Sequence, residues 1–143
     1  MVKAGWIMTA LLVLFLLPAS VAPKLVNAAV AVDALVAIGW SPRHLLLLGI
    51  IELAGLILFV IPRTSVLGAV VFTGLLGGAL ASHLRAESPL YTHTLFSVYL
   101  GLFMWMALWL RDERVRALLP WQRRAPVHAA RPAVGVTAAP PAA

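Results

Sequence analysis

The chain contains no cysteine, which excludes disulfide staples, thiolate metal sites, iron–sulfur clusters and Cys-x-x-Cys redox chemistry for its own side chains. Charge is nearly as scarce: 11% of the 143 residues are charged, against roughly a quarter in an average soluble domain. Five acidic and eleven basic side chains cannot coat a globule that is 62% apolar with a mean hydropathy of +0.98. A soluble fold is therefore excluded, and the chain reads as an integral membrane protein. No nucleophile–base pair, phosphate-binding loop or metal-ligand spacing is visible, so the soluble-enzyme motifs are absent and a non-enzymatic role is favoured. The length leaves room for one compact membrane domain and a short tail, without space for an ordinary soluble catalytic domain. No metal and no nucleic-acid partner is expected.

What the sequence does have is long apolar runs. A spanning helix needs about 20 mostly apolar residues, and roughly 17 suffice where charged ends snorkel. Four stretches qualify: the uncharged run between Lys3 and Lys24, Leu45 to Ile61, Thr64 to Ser82, and Thr94 to Leu110. Ser41 and Pro42 have the chemistry of a helix start, whereas Pro62 with Arg63 closes the second span and Ser88 with Pro89 precedes the fourth. The first run has some features of a secretory signal, but Pro23 directly after Ser20, Val21 and Ala22 would block cleavage. The expected fold is all-α, a four-helix transmembrane bundle over residues 1–120. Between the first two spans, the segment around Asp33 is too short and interrupted to cross, and is expected to form a surface helix or re-entrant cover. Residues 121–143 are rich in Arg, Ala and Pro and are expected to form a disordered cytoplasmic tail attracted to anionic lipid.

Basic residues set the expected orientation. Lys3, Arg63, Arg111, Arg114, Arg116, Arg123, Arg124 and Arg131 fall on one side, and Lys24, Arg43 and Arg85 on the other. The asymmetry predicts a multi-pass protein of the cytoplasmic membrane with both termini inside. Trp6, Trp109 and Trp121 would then mark the inner interface, and Trp40 and Tyr91 the outer one.

Glu52 is the one acidic residue inside a span, where an unpaired charge costs on the order of 3 kcal/mol. It lies roughly 10 Å from the Leu45 end of its helix. Lys24, Arg43, His44, His83, Arg85 and His93 belong to the same end, so an outward polar cluster of Glu52, His83, Arg85, Lys24 and His93 is expected. His83 and Arg85 are the preferred partners, ahead of Lys24, because Pro23 is expected to turn the chain away before the lysine. Two readings of the cluster stay open. It lines a cavity for the head of a quinone or another lipid-soluble molecule, or it is a structural bond between helices. A haem between His83 and His93 is set aside, since both histidines sit at helix ends.

Gly74, Gly77 and Gly78 form a small-residue face expected to seat a neighbouring helix, with Trp105 of the fourth span as a plug against it; dimerisation through that face is the alternative.

Several segments together resemble the DoxX-like family of small four-helix membrane proteins. They are GIIEL (49–53), IPRT (61–64), LGAVVFTGLLGGALASHLR (67–85), Pro89, His93, Trp105 and LWLRDERVRALLP (108–120). The family pattern often carries an acidic residue four positions before the lysine that ends the first helix. Ser20 stands there in this chain, so that ion pair is missing and Lys24 is free to turn to Glu52. The resemblance implies a membrane subunit working beside redox enzymes, because the founding members are similar to subunits of a thiosulfate:quinone oxidoreductase. The leading expectation is a non-enzymatic subunit supporting a redox or stress-related membrane partner, with no cofactor of its own and possible self-association. A quinone-linked oxidoreductase component and a small transporter or lipid-binding protein are the alternatives.

Overall fold

The computed structural model describes residues 1–118, and within them the chain is helical with short turns. Four helices are long and apolar enough to cross a membrane: α1 (Val2–Leu25), α3 (Pro42–Val60), α4 (Ser65–Arg85) and α5 (Leu90–Arg111). Two short helices complete the fold, α2 (Ala29–Ala37) between the first two spans and α6 (Glu113–Leu118) after the last. The tail expected from residue 121 lies outside the described residues.

Local chemistry explains the boundaries. Helix α1 continues through both of its prolines, which lack an N–H to donate, with a wide π turn over Leu17–Val21 that contains Pro18 and ends two residues before Pro23. This corrects the expectation that Pro23 would turn the chain away: Lys24 remains on the helix and on the bundle. Helix α3 begins three residues before Leu45, so Glu52 sits roughly 15 Å from its start rather than 10 Å. Between α3 and α4, the Thr64 hydroxyl donates to the carbonyl of Leu58 (2.9 Å) and that of Ser65 to Pro62 (3.2 Å), satisfying carbonyls freed at the helix end. Asp112 Oδ1 accepts from the Arg114 N–H (2.8 Å), which caps the start of α6.

The spans form a closed ring in which α1 packs on α5, α5 on α4, α4 on α3, and the end of α1 on α3. Leu12, Leu16, Leu56, Phe59, Phe72, Met104 and Leu108 fill its centre, while Ile7, Leu11, Leu14, Ile50, Ile57, Val70, Leu102 and Met106 face outward, as a lipid-facing surface requires.

At the Arg111 end the backbones approach closely, and the glycines responsible are not the expected ones. A Cβ on Gly68 would fall on the backbone of Leu58 and Phe59, and one on Gly5 would lie 2.6 Å from the Arg111 nitrogen. Gly55 faces Phe72 and Val71 at 3.1–3.3 Å. A Cβ on Gly74, Gly77 or Gly78 would meet nothing within 4 Å, so that face does not seat a neighbouring helix. Gly74 and Gly78 instead line a cavity inside the bundle, whereas α3 and α4 touch near the Arg111 end. Trp105 does reach α4, but through a hydrogen bond from its indole N–H to Thr73 Oγ1 (3.0 Å).

Arg111 closes this end. Its residue surface is 9% exposed, its Nη2 donates to the Phe59 carbonyl, and its guanidinium lies 4.8 Å from the Trp6 ring centre and 4.5 Å from that of Phe59. Gly68→Ala is expected to lower the thermal midpoint of the detergent-solubilised protein, with a loss of about 1–3 kcal/mol from overpacking. Gly77→Ala, placed in open space within a helix, is expected to leave the midpoint unchanged or raise it slightly.

Candidate functional site

Glu52 is buried, its side chain 10% exposed, and its partner is Lys24. Lys24 Nζ donates to Glu52 Oε2 at 2.7 Å and to Ser20 Oγ at 2.5 Å. The order of preference drawn from sequence is therefore corrected: the lysine ranked last makes the bond because α1 does not turn at Pro23. Ser20 one helical turn earlier accepts a hydrogen bond where an acidic residue would have competed for the ammonium. Gly49 makes the approach possible, since a Cβ there would lie 2.9 Å from Lys24 Cβ. Glu52 Oε1 has no hydrogen-bond partner among the described residues.

The remaining members of the expected cluster divide. His83 and His93 come together, with ring centres 6.0 Å apart, although they leave from different helices. His83 Nδ1 pairs with Ser88 Oγ (3.0 Å) and His93 Nδ1 with Thr92 Oγ1 (2.8 Å), so each ring keeps Nε2 for other use. Arg85 does not join them; its Nη2 donates to the Ile38 carbonyl (3.0 Å). Arg43 Nε turns to His44 Nε2 (3.2 Å). No group of three or more His, Asp or Glu close enough to hold a metal ion occurs among the described residues.

Around these groups the four spans enclose a cavity of about 690 Å³ in the Glu52 half of the bundle. Lys24, Ser20 and Glu52 form its polar wall on α1 and α3, and His83, His93 and Ser82 the polar wall on α4 and α5. Phe15, Leu16, Leu48, Ile51, Val71, Phe72, Leu75 and Leu100 supply apolar surface, and Gly74 and Gly78 line it as well. Helix α2 covers the cavity with Val30, Ala31, Ala34, Leu35 and Ile38. This agrees with the cover expected for that segment.

The cover is tied down at its end by two long-range bonds. The Trp40 indole N–H donates to Ser82 Oγ (2.9 Å), whose own hydroxyl donates to the Gly78 carbonyl (2.8 Å). Arg85 supplies the second through Ile38. Gly39, at φ +82°, makes the turn between them, a conformation that L side chains rarely adopt. On the far side of Trp40, Arg85, His44 and Ser41 border a shallower depression of about 490 Å³. Sequence reasoning missed two residues. Arg111 was counted only as an interfacial charge, and Trp40 only as an interface marker; hydropathy carries no sign of what a side chain at a span end will touch. A serine forty-two residues away has no pattern linking it to Trp40.

The DoxX-like family profile matches residues 7–107, which takes in α3 and α4 whole, all but the outermost residues of α1 and α5, and every residue that lines the cavity. The chain belongs to the DoxX-like family. No curated protein and no solved structure matches it significantly. As a DoxX-like protein with four apolar helices it is a multi-pass membrane protein in contact with the lipid bilayer.

Ser82→Ala and Arg85→Met each remove one tie of the cover, worth about 0.5–1.5 kcal/mol. Hydrogen-exchange mass spectrometry is expected to show faster exchange over residues 29–41 in both variants, with the four spans unchanged.

Proposed function

We propose that this DoxX-like protein is a ligand-binding membrane subunit that holds a lipid-soluble molecule with a hydrogen-bonding head, of the quinone class, for a partner that performs the redox chemistry. The observation that carries the reading is the cavity itself: about 690 Å³, apolar over most of its wall, with an ion pair on one side and two imidazoles on the other. A drug-sized ligand site has this composition, mostly apolar with a few polar groups that fix orientation. A quinone offers two carbonyl oxygens at opposite ring edges. One accepts from Lys24, and the other accepts from a histidine Nε2–H. Glu52 holds Lys24 in place, and its free Oε1 accepts a hydrogen bond from a hydroxyl on a reduced head. The chain's own residues bind and orient; they supply no electrons. The basic asymmetry supports insertion in the cytoplasmic membrane with both termini inside, so that the cavity lies in the outer half, and the small size supports work beside a partner protein rather than alone.

A second reading has its own observation. Lys24 is already engaged by both Ser20 and Glu52, which suits a purely structural bond between α1 and α3. A titration of the full chain in detergent with a decyl-tailed benzoquinone, followed by tryptophan quenching, separates the two, since Trp40 lines the cavity. The binding reading expects saturable quenching by the wild type and an affinity lowered about ten-fold or more in His93→Ala, which removes a polar group of the cavity wall outside the ion pair, with little change in thermal midpoint. No saturable binding by the wild type, together with a large stability loss in Glu52→Gln, would leave only the structural bond.

A further inference from the structure

We infer that the cavity is open sideways to the bilayer between α3 and α4, and that the tail of its ligand leaves through this cleft across Gly74 and Gly78; the inference rests on the ligand-binding reading above. The two helices meet tightly near the Arg111 end, where Gly68 lies against the backbone of Phe59 and Gly55 against Phe72. Farther along, α3 lies against the end of α1, where Gly49 lets Lys24 and Leu25 come close. Between these two contacts Gly74 and Gly78 face open space, and this is the gap. Its floor is the Gly55–Phe72 contact, and its roof is Trp40 hydrogen-bonded to Ser82.

Gly74 and Gly78, four residues apart on one face of α4, line the cavity yet meet nothing within 4 Å where a side chain would stand. Both are exposed, and Gly78 also borders the outer depression beside Trp40. In a helix surrounded by lipid, that combination describes a portal rather than a packing face. The polar end of the cavity fixes the head: Glu52 is nine-tenths buried, lines the cavity, and keeps Oε1 unpaired. A volume of about 690 Å³ accommodates a ring and a short stretch of chain, so a longer tail must emerge, and the gap between α3 and α4 leads to hydrocarbon of the leaflet on the Glu52 side. The site thus selects single-tailed amphiphiles with a flat head. Gly74 and Gly78 set the width that the tail finds.

The test compares two probes on the full chain in detergent, a benzoquinone carrying a decyl tail and the same ring without it. Gly74→Leu and Gly78→Leu place a side chain in the cleft from a Cβ position with no neighbour within 4 Å, and thermal midpoints check that folding is kept. Gly77→Leu, also in open space but not on the cavity wall, is the control. The inference expects the tailed probe to weaken by about ten-fold or more in the first two variants, the steric cost of forcing a chain past an added side chain. It expects the tail-less ring to bind as in the wild type, and Gly77→Leu to change neither. Unchanged affinity for the tailed probe in Gly74→Leu and Gly78→Leu would overturn the portal. Equal loss of both probes would overturn it too, placing the glycines at the head while leaving the ligand-binding reading intact. A wild type that binds neither probe would remove that reading, and the portal with it.

Discussion

A carboxylate placed about three helical turns inside an apolar span has to be paired, and the ion pair between Glu52 and Lys24 is the constraint from which the rest of this half of the molecule follows. It fixes the end of α1 against α3. That contact needs Gly49, whose missing side chain lets Lys24 and Leu25 lie against α3. The opening between α3 and α4 is the geometric counterpart of the bond. An ion pair in a membrane span is often regarded as a cost to be offset; here it also joins the end of one span to the middle of another.

The opposite end obeys a different rule. Lipid is as apolar as leucine, so close backbone approach and polar contacts, rather than hydrophobic burial, hold membrane helices together. Gly5, Gly68 and Ala107 bring the backbones together, and Arg111 spans α5, the end of α3 and Trp6 of α1 with one side chain. Tight at the Arg111 end and joined at the other by the Lys24–Glu52 pair, the bundle encloses the cavity between them. Apolar cover helix α2 then closes that space from the aqueous side, held by Trp40 and Arg85 rather than by an extensive packed face of its own.

Much of this was legible in the residues. Four apolar runs, the surface segment around Asp33 and the segments shared with the DoxX-like family gave the architecture, because span length and charge are one-dimensional properties. That Glu52 needed a partner was equally plain. Which partner was not, because the choice turned on whether α1 continues past Pro23, and a π turn between two prolines has no reliable sequence signature. The glycine assignments failed for a related reason. Gly74 and Gly78 have the spacing of a packing motif, and Gly68 and Gly55 do not stand out, yet whether a small residue meets a helix or a gap depends on crossing geometry that spacing alone does not encode. The meeting of His83 and His93 follows from the antiparallel order of α4 and α5, which brings the end of one beside the start of the other.

If the Lys24–Glu52 bond organises this end of the bundle, its charges can be exchanged but not removed singly. The most direct measurement is the thermal midpoint in detergent of Lys24→Glu, Glu52→Lys and the double exchange. Each single variant leaves like charges facing each other and is expected to lose about 2–3 kcal/mol, on the scale of an unpaired charge in a span. The double exchange should recover at least half of the summed loss. A double variant as unstable as the sum of the two singles would show that the groups are not coupled, and would contradict the account.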